Sequence, residues 1–539
     1  MDKGTTPNAH RLLWAGFMAI LAAGVGFSIR GGILADWGTQ FGFTQSDLGT
    51  ITGGGLTGFG IIILIGSLMA DRVGYGKLMV LAFFMHVGSA IITLAATPIF
   101  NSMGGLESEG AKAAAFQCLF WGMFMFAIGN GLAEAVVNPL TAVLFPKQKT
   151  HYLNILHAGW PGGLIVGGLL SMLMVGKVRW EIQMGMFLVP AVLYGVMLWG
   201  QKFPRDEAGA AGVKYTDMLK ELGLLGASVI CVLLALFFKN DLGLSTTVAT
   251  VLGVALLAIF GFFTKFTMGP ILMAFLLVIH ALVGYVELGT DSWISNITGN
   301  ILASPGKGLA LFVYTSALMF TLRFFAGPIV HRISPLGLLL SSAVFGALGL
   351  QLLGTFNTGM AIVFAATIYG IGKTFFWPTM LAVVSEQFPK GGAITMGSIG
   401  CVGMLSAGLL GSTGIGYKQD RFAAEHLQAA SPAAYEAVKS ENSNAFLIFK
   451  PIQGLDGAKV GEIKAKPAAE QTDNDKLVLA ASLDGARSAL KMTALIPVTM
   501  GVCYLLLIFY FKSRGGYKAV EIGNAAASAG GSGDSKSDS

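Results

Sequence analysis

The chain has 539 residues, of which 54% are hydrophobic and only 12% are charged, whereas soluble globular domains carry about 25% charged residues. This composition excludes an ordinary soluble enzyme, a disordered chain and a fibrous chain. The formal net charge of +6 is too small and too scattered for a nucleic-acid-binding protein. Each of the four cysteines lies within an apolar run, so we expect neither a disulfide framework nor a metal site.

Fourteen mostly apolar runs follow one another along the chain, each close to the length of about 20 residues that crosses a bilayer as a helix. They predict spanning helices at about 12–36, 48–70, 78–100, 115–145, 153–176, 182–201, 221–238, 243–264, 270–290, 308–330, 335–356, 359–387, 392–416 and 488–512. Because helices satisfy their own backbone hydrogen bonds in lipid, the predicted fold is an all-α polytopic membrane protein.

Lysine and arginine are concentrated in alternate short loops, beginning with the N-terminal segment. The positive-inside rule then predicts that both termini are cytoplasmic, and we expect a multi-pass protein of a bacterial inner membrane. The long loop at 417–486 would lie outside the cell as a small or partly disordered insert. The segment 517–539, rich in glycine and serine at its end, is predicted to be a disordered cytoplasmic tail.

The chain repeats part of itself. The segment from Gly131 to Pro139 matches the segment from Gly370 to Pro378 when the prolines are aligned, and Phe-Pro-Lys follows both. We therefore predict two related six-helix halves, residues 1–205 and 269–516. Residues 206–268 would form a linker and an inserted hairpin of two spanning helices, which we expect to lie outside the central cavity.

A short motif in the loop after the second span identifies a family resemblance. Asp71-Arg72-Val-Gly74 resembles the loop motif Gly-x-Leu-x-Asp-Arg-x-Gly-Arg of the major facilitator superfamily. The sequence departs from that motif at Ser67, Met69 and Tyr75. The resemblance implies two pseudosymmetric bundles around a cavity lined by helices one, four, seven and ten. It also implies a conformational latch formed by Asp71 and Arg72, with Arg332 in the equivalent loop of the second half.

A second resemblance is confined to the fourth span. Glu134 followed by Asn138 and Pro139 is similar to the fucose:proton symporter branch, in which a carboxylate of the fourth helix precedes Asn-Pro. The resemblance implies a proton-coupled transporter of a neutral sugar.

Five charged residues lie within predicted spans, namely Arg30, Glu134, Glu287, Arg323 and Lys373. Each costs at least about 2.5–3.5 kcal/mol near the bilayer centre, so each needs a reason. We expect one opposed pair in each half, Arg30 with Glu134 and Glu287 with Lys373. Such pairs either fix helix packing or open and close as substrate and protons bind. In the second case Glu134, and after it Glu287, would couple proton movement to transport.

The candidate substrate ligands combine charge, hydrogen bonding and aromatic stacking. They are Arg30, Asn138, Asn154, Lys373, Trp377 and Trp293. Asp36 and Asp291 lie nearer the ends of their spans, where we expect solvated rim residues.

These features predict a monomeric secondary active transporter that moves a small polar solute by alternating access, with protons as the coupling ion and no cofactor. No Gly-x-x-x-x-Gly-Lys-[Ser/Thr] segment occurs in the sequence, so ATP is not the expected energy source. No catalytic constellation points to an enzyme. The alternative is a porter for a sugar acid, an organophosphate or another anion. The predicted spans contain three cationic residues and two carboxylates, and this excess of positive charge favours an anionic ligand.

Overall fold

The computed structural model describes residues 4–43, 45–174, 177–205, 207–441 and 443–522. The first half of the described chain consists of helices joined by short turns. They are α1 (Ala9–Gly32), α2 (Leu34–Phe41), α3 (Gln45–Val73), α4 (Tyr75–Ser102), α5 (Glu109–Leu144), α6 (Lys149–Met174), α7 (Trp180–Gly185) and α8 (Leu188–Leu198). Between the halves lie α9 (Glu207–Ala210), α10 (Tyr215–Asn240) and α11 (Thr246–Thr264).

The second half contains two π-helical turns, Tyr285–Gly289 and Ala407–Ser412, within long helices. Its helices are α12 (Ile271–Gly284), α13 (Thr290–Ile301), α14 (Pro305–Arg323), α15 (Ala326–Leu353), α16 (Gly359–Lys373), α17 (Phe376–Gln387), α18 (Gly392–Ser406), α19 (Thr413–Ala430), α20 (Pro432–Val438), α21 (Gly457–Ala465), α22 (Asp473–Thr493) and α23 (Leu495–Ser513). Strands β1 (Asn444–Phe446) and β2 (Phe449–Ile452) pair antiparallel, with Asn444 opposite Ile452.

The all-α polytopic prediction is confirmed, but the number of spans is not. Within the described residues, 13 helical segments are long and apolar enough to cross a membrane. The predicted span at 308–330 corresponds to α14, which ends at Arg323, and α14 is not among the 13. Lys307 and Arg323, near its two ends, lower its hydropathy.

Glycine contacts show that the two halves are built alike. In the first half α1 and α6 touch where Gly24 meets Gly163, and in the second α12 and α18 touch where Gly284 meets Gly403. In both places an added Cβ would collide with the backbone of the opposite helix. Small residues allow membrane helices to approach this closely, and the first and fifth spans of each half use the same device.

Both ends of the described chain lie at one face of the bundle. The Thr5 amide donates to the Leu144 carbonyl at 3.0 Å, and the Val520 amide donates to the Glu386 carbonyl at 2.8 Å. We call this the terminal face. The opposite end, which carries α20, the β-hairpin and α21, is called the insert face.

The insert at 417–486 differs from a partly disordered loop in the residues that the structure describes. Helix α19 continues to Ala430 and α22 begins at Asp473. Leu427, Tyr435 and Val478 are buried in a small apolar core of its own. The predicted tail also begins with ordered residues, because Tyr517 and Val520 bond to α17, while residues 523–539 lie outside the described chain.

The inserted hairpin packs on the second half. Helix α10 contacts α12 and α18. Near its start Gly223 has φ +60° and lies against Gly269, a close approach that the backbone could not make with a side chain at either position. The Leu224 and Leu225 amides bond to the carbonyls of the segment that precedes α12. The hairpin is therefore part of the body of the second half.

Candidate functional site

A cavity of about 870 Å³ lies between the two halves. Residues of α1, α3, α5 and α6 form its wall on one side, and residues of α13, α14 and the second π-helical turn form the other. The lining includes the ends of α1 and α13 at the insert face. Helices one, four and seven of the repeat therefore contribute as the family resemblance implied, whereas the tenth helix does not reach this cavity.

The tip of the inserted hairpin also belongs to the wall. Asn240 and Asp241, at the end of α10, are among the lining residues. The prediction that the hairpin lies outside the cavity is therefore wrong at its tip. The cause is the packing of α10 against α18, which carries the tip to the edge of α3.

Arg30 lies on the cavity wall near the end of α1 and is 1% exposed. Its Nη2 donates to Ser89 Oγ at 2.7 Å and its Nη1 to the Gly26 carbonyl at 3.2 Å. The guanidinium carbon lies 3.9 Å from the centre of the Phe126 ring. In the part of the chain that the structure describes, no carboxylate oxygen lies within 4 Å of this guanidinium. The predicted ion pair between Arg30 and Glu134 is therefore wrong.

A hydrogen-bonded histidine that was not predicted from the sequence supports the same wall. His86 Nδ1 lies 2.8 Å from the Tyr194 hydroxyl, and its Nε2 lies 2.9 Å from Asn130 Oδ1. Asn130 lines the cavity, so the histidine fixes the orientation of a cavity amide. A histidine in the middle of an apolar span was the available signal.

Glu134 forms a separate network deeper in the first half. Asn138, one turn along α5, donates from Nδ2 to Glu134 Oε2 at 2.6 Å. His157 Nε2 lies 2.8 Å from Asn138 Oδ1 and 3.9 Å from Glu134 Oε2. Because residues four positions apart share a helix face, the Glu-x-x-x-Asn spacing builds this contact locally. Asn138 is thus engaged by the protein, and its role as a substrate ligand stays a prediction.

Arg323 connects the two halves. Its Nη2 donates to Glu287 Oε1 at 3.0 Å, its Nε to the Thr374 carbonyl at 2.8 Å and its Nη1 to the His157 carbonyl at 2.5 Å. The last of these contacts reaches α6 in the first half. The predicted pairing of Glu287 with Lys373 is wrong, since Arg323 takes that carboxylate.

Lys373 pairs instead with Asp291, which lies one turn beyond Glu287 on the seventh span. Lys373 Nζ and Asp291 Oδ1 are 2.5 Å apart. The lysine side chain is fully buried and the aspartate side chain is 9% exposed. Asp291 is therefore not the solvated rim residue that we expected. Glu287 lies within the π-helical turn Tyr285–Gly289 and Asp291 follows that turn, and π-helical turns inside α-helices are frequently found at functional sites.

A smaller chamber lies below the main cavity and holds the charge network. Glu134, His157, Glu287 and Arg323 line it. Trp160 lines both this chamber and the main cavity, so this residue lies between the two. This partition was not predicted from the sequence.

The remaining predicted ligands lie elsewhere. Asn154 donates to the Thr150 carbonyl at 2.8 Å, and Trp293 Nε1 donates to the Ser412 carbonyl at 2.8 Å. Neither residue is among those that line the main cavity. Trp377 lines the small chamber, and its ring centre is 4.6 Å from that of His280.

The terminal face is closed by contacts between the halves. Lys149 Nζ donates to the Ser385 carbonyl at 3.1 Å and forms an ion pair with Glu207 at 2.9 Å. Glu386 accepts from Thr150 at 3.3 Å and from the Tyr517 hydroxyl at 2.7 Å. Residues of the linker and of the tail therefore help to close the terminal face.

The predicted latch residues lie at this same face. The Arg72 guanidinium carbon is 4.2 Å from the centre of the Tyr215 ring, and the Tyr215 hydroxyl donates to the Leu68 carbonyl at 2.9 Å. Asp71 lies beside Arg72 in the last turn of α3, and Arg332 is exposed on α15. Their role as a latch remains a prediction. Among the described residues no group of three or more side chains is arranged to hold a metal ion.

Comparison with solved structures finds the same architecture. FucP, a Major Facilitator Superfamily transporter in the outward conformation, aligns at 13% identity over 92% of this chain and 98% of its own, with a TM-score of 0.55. The proton:xylose symporter XylE aligns at 15% identity over 94% and 96%, with a TM-score of 0.57. The human organic anion transporter MFSD10 aligns at 12% identity over 93% and 100%, with a TM-score of 0.56.

At these identities the likeness shows the fold. No curated protein matches the sequence. The family model of the Major Facilitator Superfamily matches residues 16–412, which is well over half of the chain. Together with the bundle architecture, this match shows that the chain is a multi-pass membrane protein that belongs to the Major Facilitator Superfamily.

Proposed function

We propose that the protein is a proton-coupled secondary transporter of a small organic anion that works by alternating access. The observation that carries the proposal is Arg30, a buried cation on the wall of the main cavity without a carboxylate partner in the described chain. A buried charge is costly unless it is paired. An anionic substrate would supply the missing counter-charge through the planar fork of donors that arginine presents to carboxylates and phosphates.

A neutral sugar is the second candidate. Phe27 and Trp160 lie in the cavity wall and their ring centres are 5.7 Å apart, so a sugar ring could stack on them. The sequence favoured this candidate through the resemblance of Glu134, Asn138 and Pro139 to the fucose:proton symporter branch, in which case Arg30 would serve mainly to pair with Glu134. Since the two residues do not pair, the geometry favours the anion.

We infer that the small chamber couples protons to transport. Arg323 holds Glu287 directly and contacts the first half through the His157 carbonyl. When the halves move apart at this level, that contact breaks and the guanidinium leaves the neighbourhood of Glu134. A carboxylate that loses a nearby cation in apolar surroundings takes up a proton more readily. Proton uptake and rearrangement of the halves would then favour each other.

The described conformation has its cavity at the insert face and its contacts between halves at the terminal face. With both termini in the cytoplasm, as the distribution of basic residues predicts, this is an outward-facing state. The proposed membrane is the bacterial inner membrane, and the proposed working unit is a monomer.

The proposal is tested by uptake into proteoliposomes with and without a pH gradient. The labelled panel contains gluconate, glucuronate, glycerol 3-phosphate, fucose and xylose. We expect at least one anion to accumulate when the gradient is imposed. Accumulation of only the neutral sugars, undiminished in Arg30→Gln, would contradict the anion proposal.

The hairpin tip gives a separate prediction. Asp241→Asn removes a negative charge from the cavity wall, so the affinity for the accumulated anion is expected to rise by up to about fivefold, and less at high salt, because like charges about 4 Å apart repel by about 1 kcal/mol in water. The KM of uptake at two ionic strengths measures this. Asp217→Asn is the matched control, since Asp217 lies at the opposite end of α10. Equal KM values for both variants would mean that the tip does not face the substrate.

The tail contacts give another prediction. Truncation after Gly516 removes the Tyr517 and Val520 bonds to Glu386, so the terminal face should open more often. In a background without the native cysteines, Ser385→Cys should then react at least threefold faster with a membrane-impermeant thiol reagent applied from that face. Truncation after Glu521 is the control, because it keeps both contacts. Identical labelling rates for the two truncations would show that the tail does not help to close the face.

A further inference from the structure

One face of α13 forms a polar stripe along the main cavity. Its members recur at spacings of three and four residues, as neighbours on one helix face do. They are Asp291, Ser292, Ser295, Asn296, Gly299 and Asn300, and all of them line the cavity. The stripe belongs to the second half, whereas Arg30 belongs to the first.

Asp291 lies at the deepest position of this stripe and has an unused oxygen. Its Oδ1 accepts the Lys373 ammonium at 2.5 Å. Its Oδ2 is buried and has no hydrogen-bond partner among the described residues. A buried acceptor without a donor is unfavourable, so a donor brought by a bound molecule would stabilise this position.

The ion pair decides which kind of donor fits. Lys373 already balances the charge of Asp291 and is itself fully buried. A second cation placed at Oδ2 would be repelled by the lysine, whereas a neutral hydroxyl would not. The serine and asparagine side chains that continue the stripe towards the insert face can both donate to and accept from hydroxyl groups.

We propose that the α13 stripe, with Asp291 Oδ2 at its deep end, binds the hydroxyl groups of a solute whose acid group is held by Arg30. The transported molecule is then a hydroxylated organic acid. This inference rests on the proposed function. The solute would bridge the halves, with its acid on the first and its hydroxyls on the second, so that binding favours their closure around it.

The test is equilibrium binding to the purified full chain by titration calorimetry. Each hydroxylated acid is compared with a counterpart of the same skeleton that lacks hydroxyls: lactate with propionate, gluconate with hexanoate, and glucuronate with tetrahydropyran-2-carboxylate. We expect at least one hydroxylated acid to bind ten times more tightly than its counterpart. In the double variant Asp291→Ser with Lys373→Met, which leaves no unpaired buried charge, this advantage should fall below threefold.

The outcomes separate the two proposals. Equal affinities within every pair, no binding of any hydroxylated acid, or tighter binding of 6-aminohexanoate than of gluconate would overturn the hydroxyl site. An advantage of the hydroxylated acids that survives the double variant would overturn it as well. If Arg30→Gln leaves the binding of every carboxylate unchanged, the anion proposal itself fails. Loss of all carboxylate binding in Arg30→Gln, together with equal affinities within the pairs of the wild-type chain, would retain the anion proposal and reject the stripe alone.

Discussion

Replacing Arg30 with glutamine is expected to weaken binding of the transported anion about 100-fold. Two charge-assisted hydrogen bonds, each contributing about 1.5 kcal/mol or more, would be lost, and 1.4 kcal/mol corresponds to a factor of ten in affinity. Arg30→Lys keeps the charge but not the planar fork, so we expect a loss of about tenfold. Titration calorimetry on the purified variants measures both affinities.

The matched control for this experiment is Arg179→Gln. Arg179 is 73% exposed and pairs with Glu181 outside the main cavity, so its replacement should leave the affinity unchanged. Folding of each variant is checked by its thermal transition. An unchanged affinity in Arg30→Gln would instead support the neutral sugar.

Replacing Glu134 with glutamine is expected to abolish accumulation driven by a pH gradient while retaining exchange of substrate across the membrane. The amide has nearly the shape of the carboxylic acid and can still accept the bond from Asn138, so the fold should be kept. It cannot bind or release a proton, and the link between the gradient and the movement of the halves would be lost. The accumulation ratio in proteoliposomes should fall to the value that is measured without a gradient.

Glu181→Gln serves as the control for Glu134→Gln. Glu181 is a carboxylate of the same half that bonds to Thr97 and Arg179 outside the small chamber. Accumulation at the wild-type level in Glu134→Gln would remove this residue from the coupling mechanism. Glu287→Gln would then be the next variant to test, because Glu287 is the carboxylate held by Arg323 and both residues line the same chamber.

The bundle itself was predictable because its causes are local in sequence. Long apolar runs fix helices in lipid, and the repeated Asn-Pro and Trp-Pro segments placed Glu134 and Lys373 at equivalent positions of the two halves. The helix-local contact between Glu134 and Asn138 follows from a spacing of four residues. The one span that did not meet the criterion, α14, carries charges near both ends.

The partners of the buried charges were not predictable in the same way. The sequence identified the helices that carry Arg30, Glu287, Lys373 and Asp291. Which of these side chains meet depends on how each helix is rotated about its axis and shifted along it. The π-helical turn at Tyr285–Gly289 contains Glu287 and precedes Asp291, and no pattern in the sequence predicted it. The sequence therefore predicted which charged residues lie within the membrane-spanning helices, but it could not predict which of them form ion pairs with one another.

By itself the sequence determined the helical membrane fold, its two halves, its family and the residues that bring charge into the membrane, because hydropathy, helix period and the repeated segments are properties of neighbouring residues. Only the tertiary structure decided that Arg30 has no carboxylate beside it within the described chain, that Arg323 joins the halves, and that the hairpin tip and the α13 stripe face the cavity. These facts depend on the rotation and approach of helices that are distant in sequence. Many weak packing contacts, including those between glycines, set that geometry together.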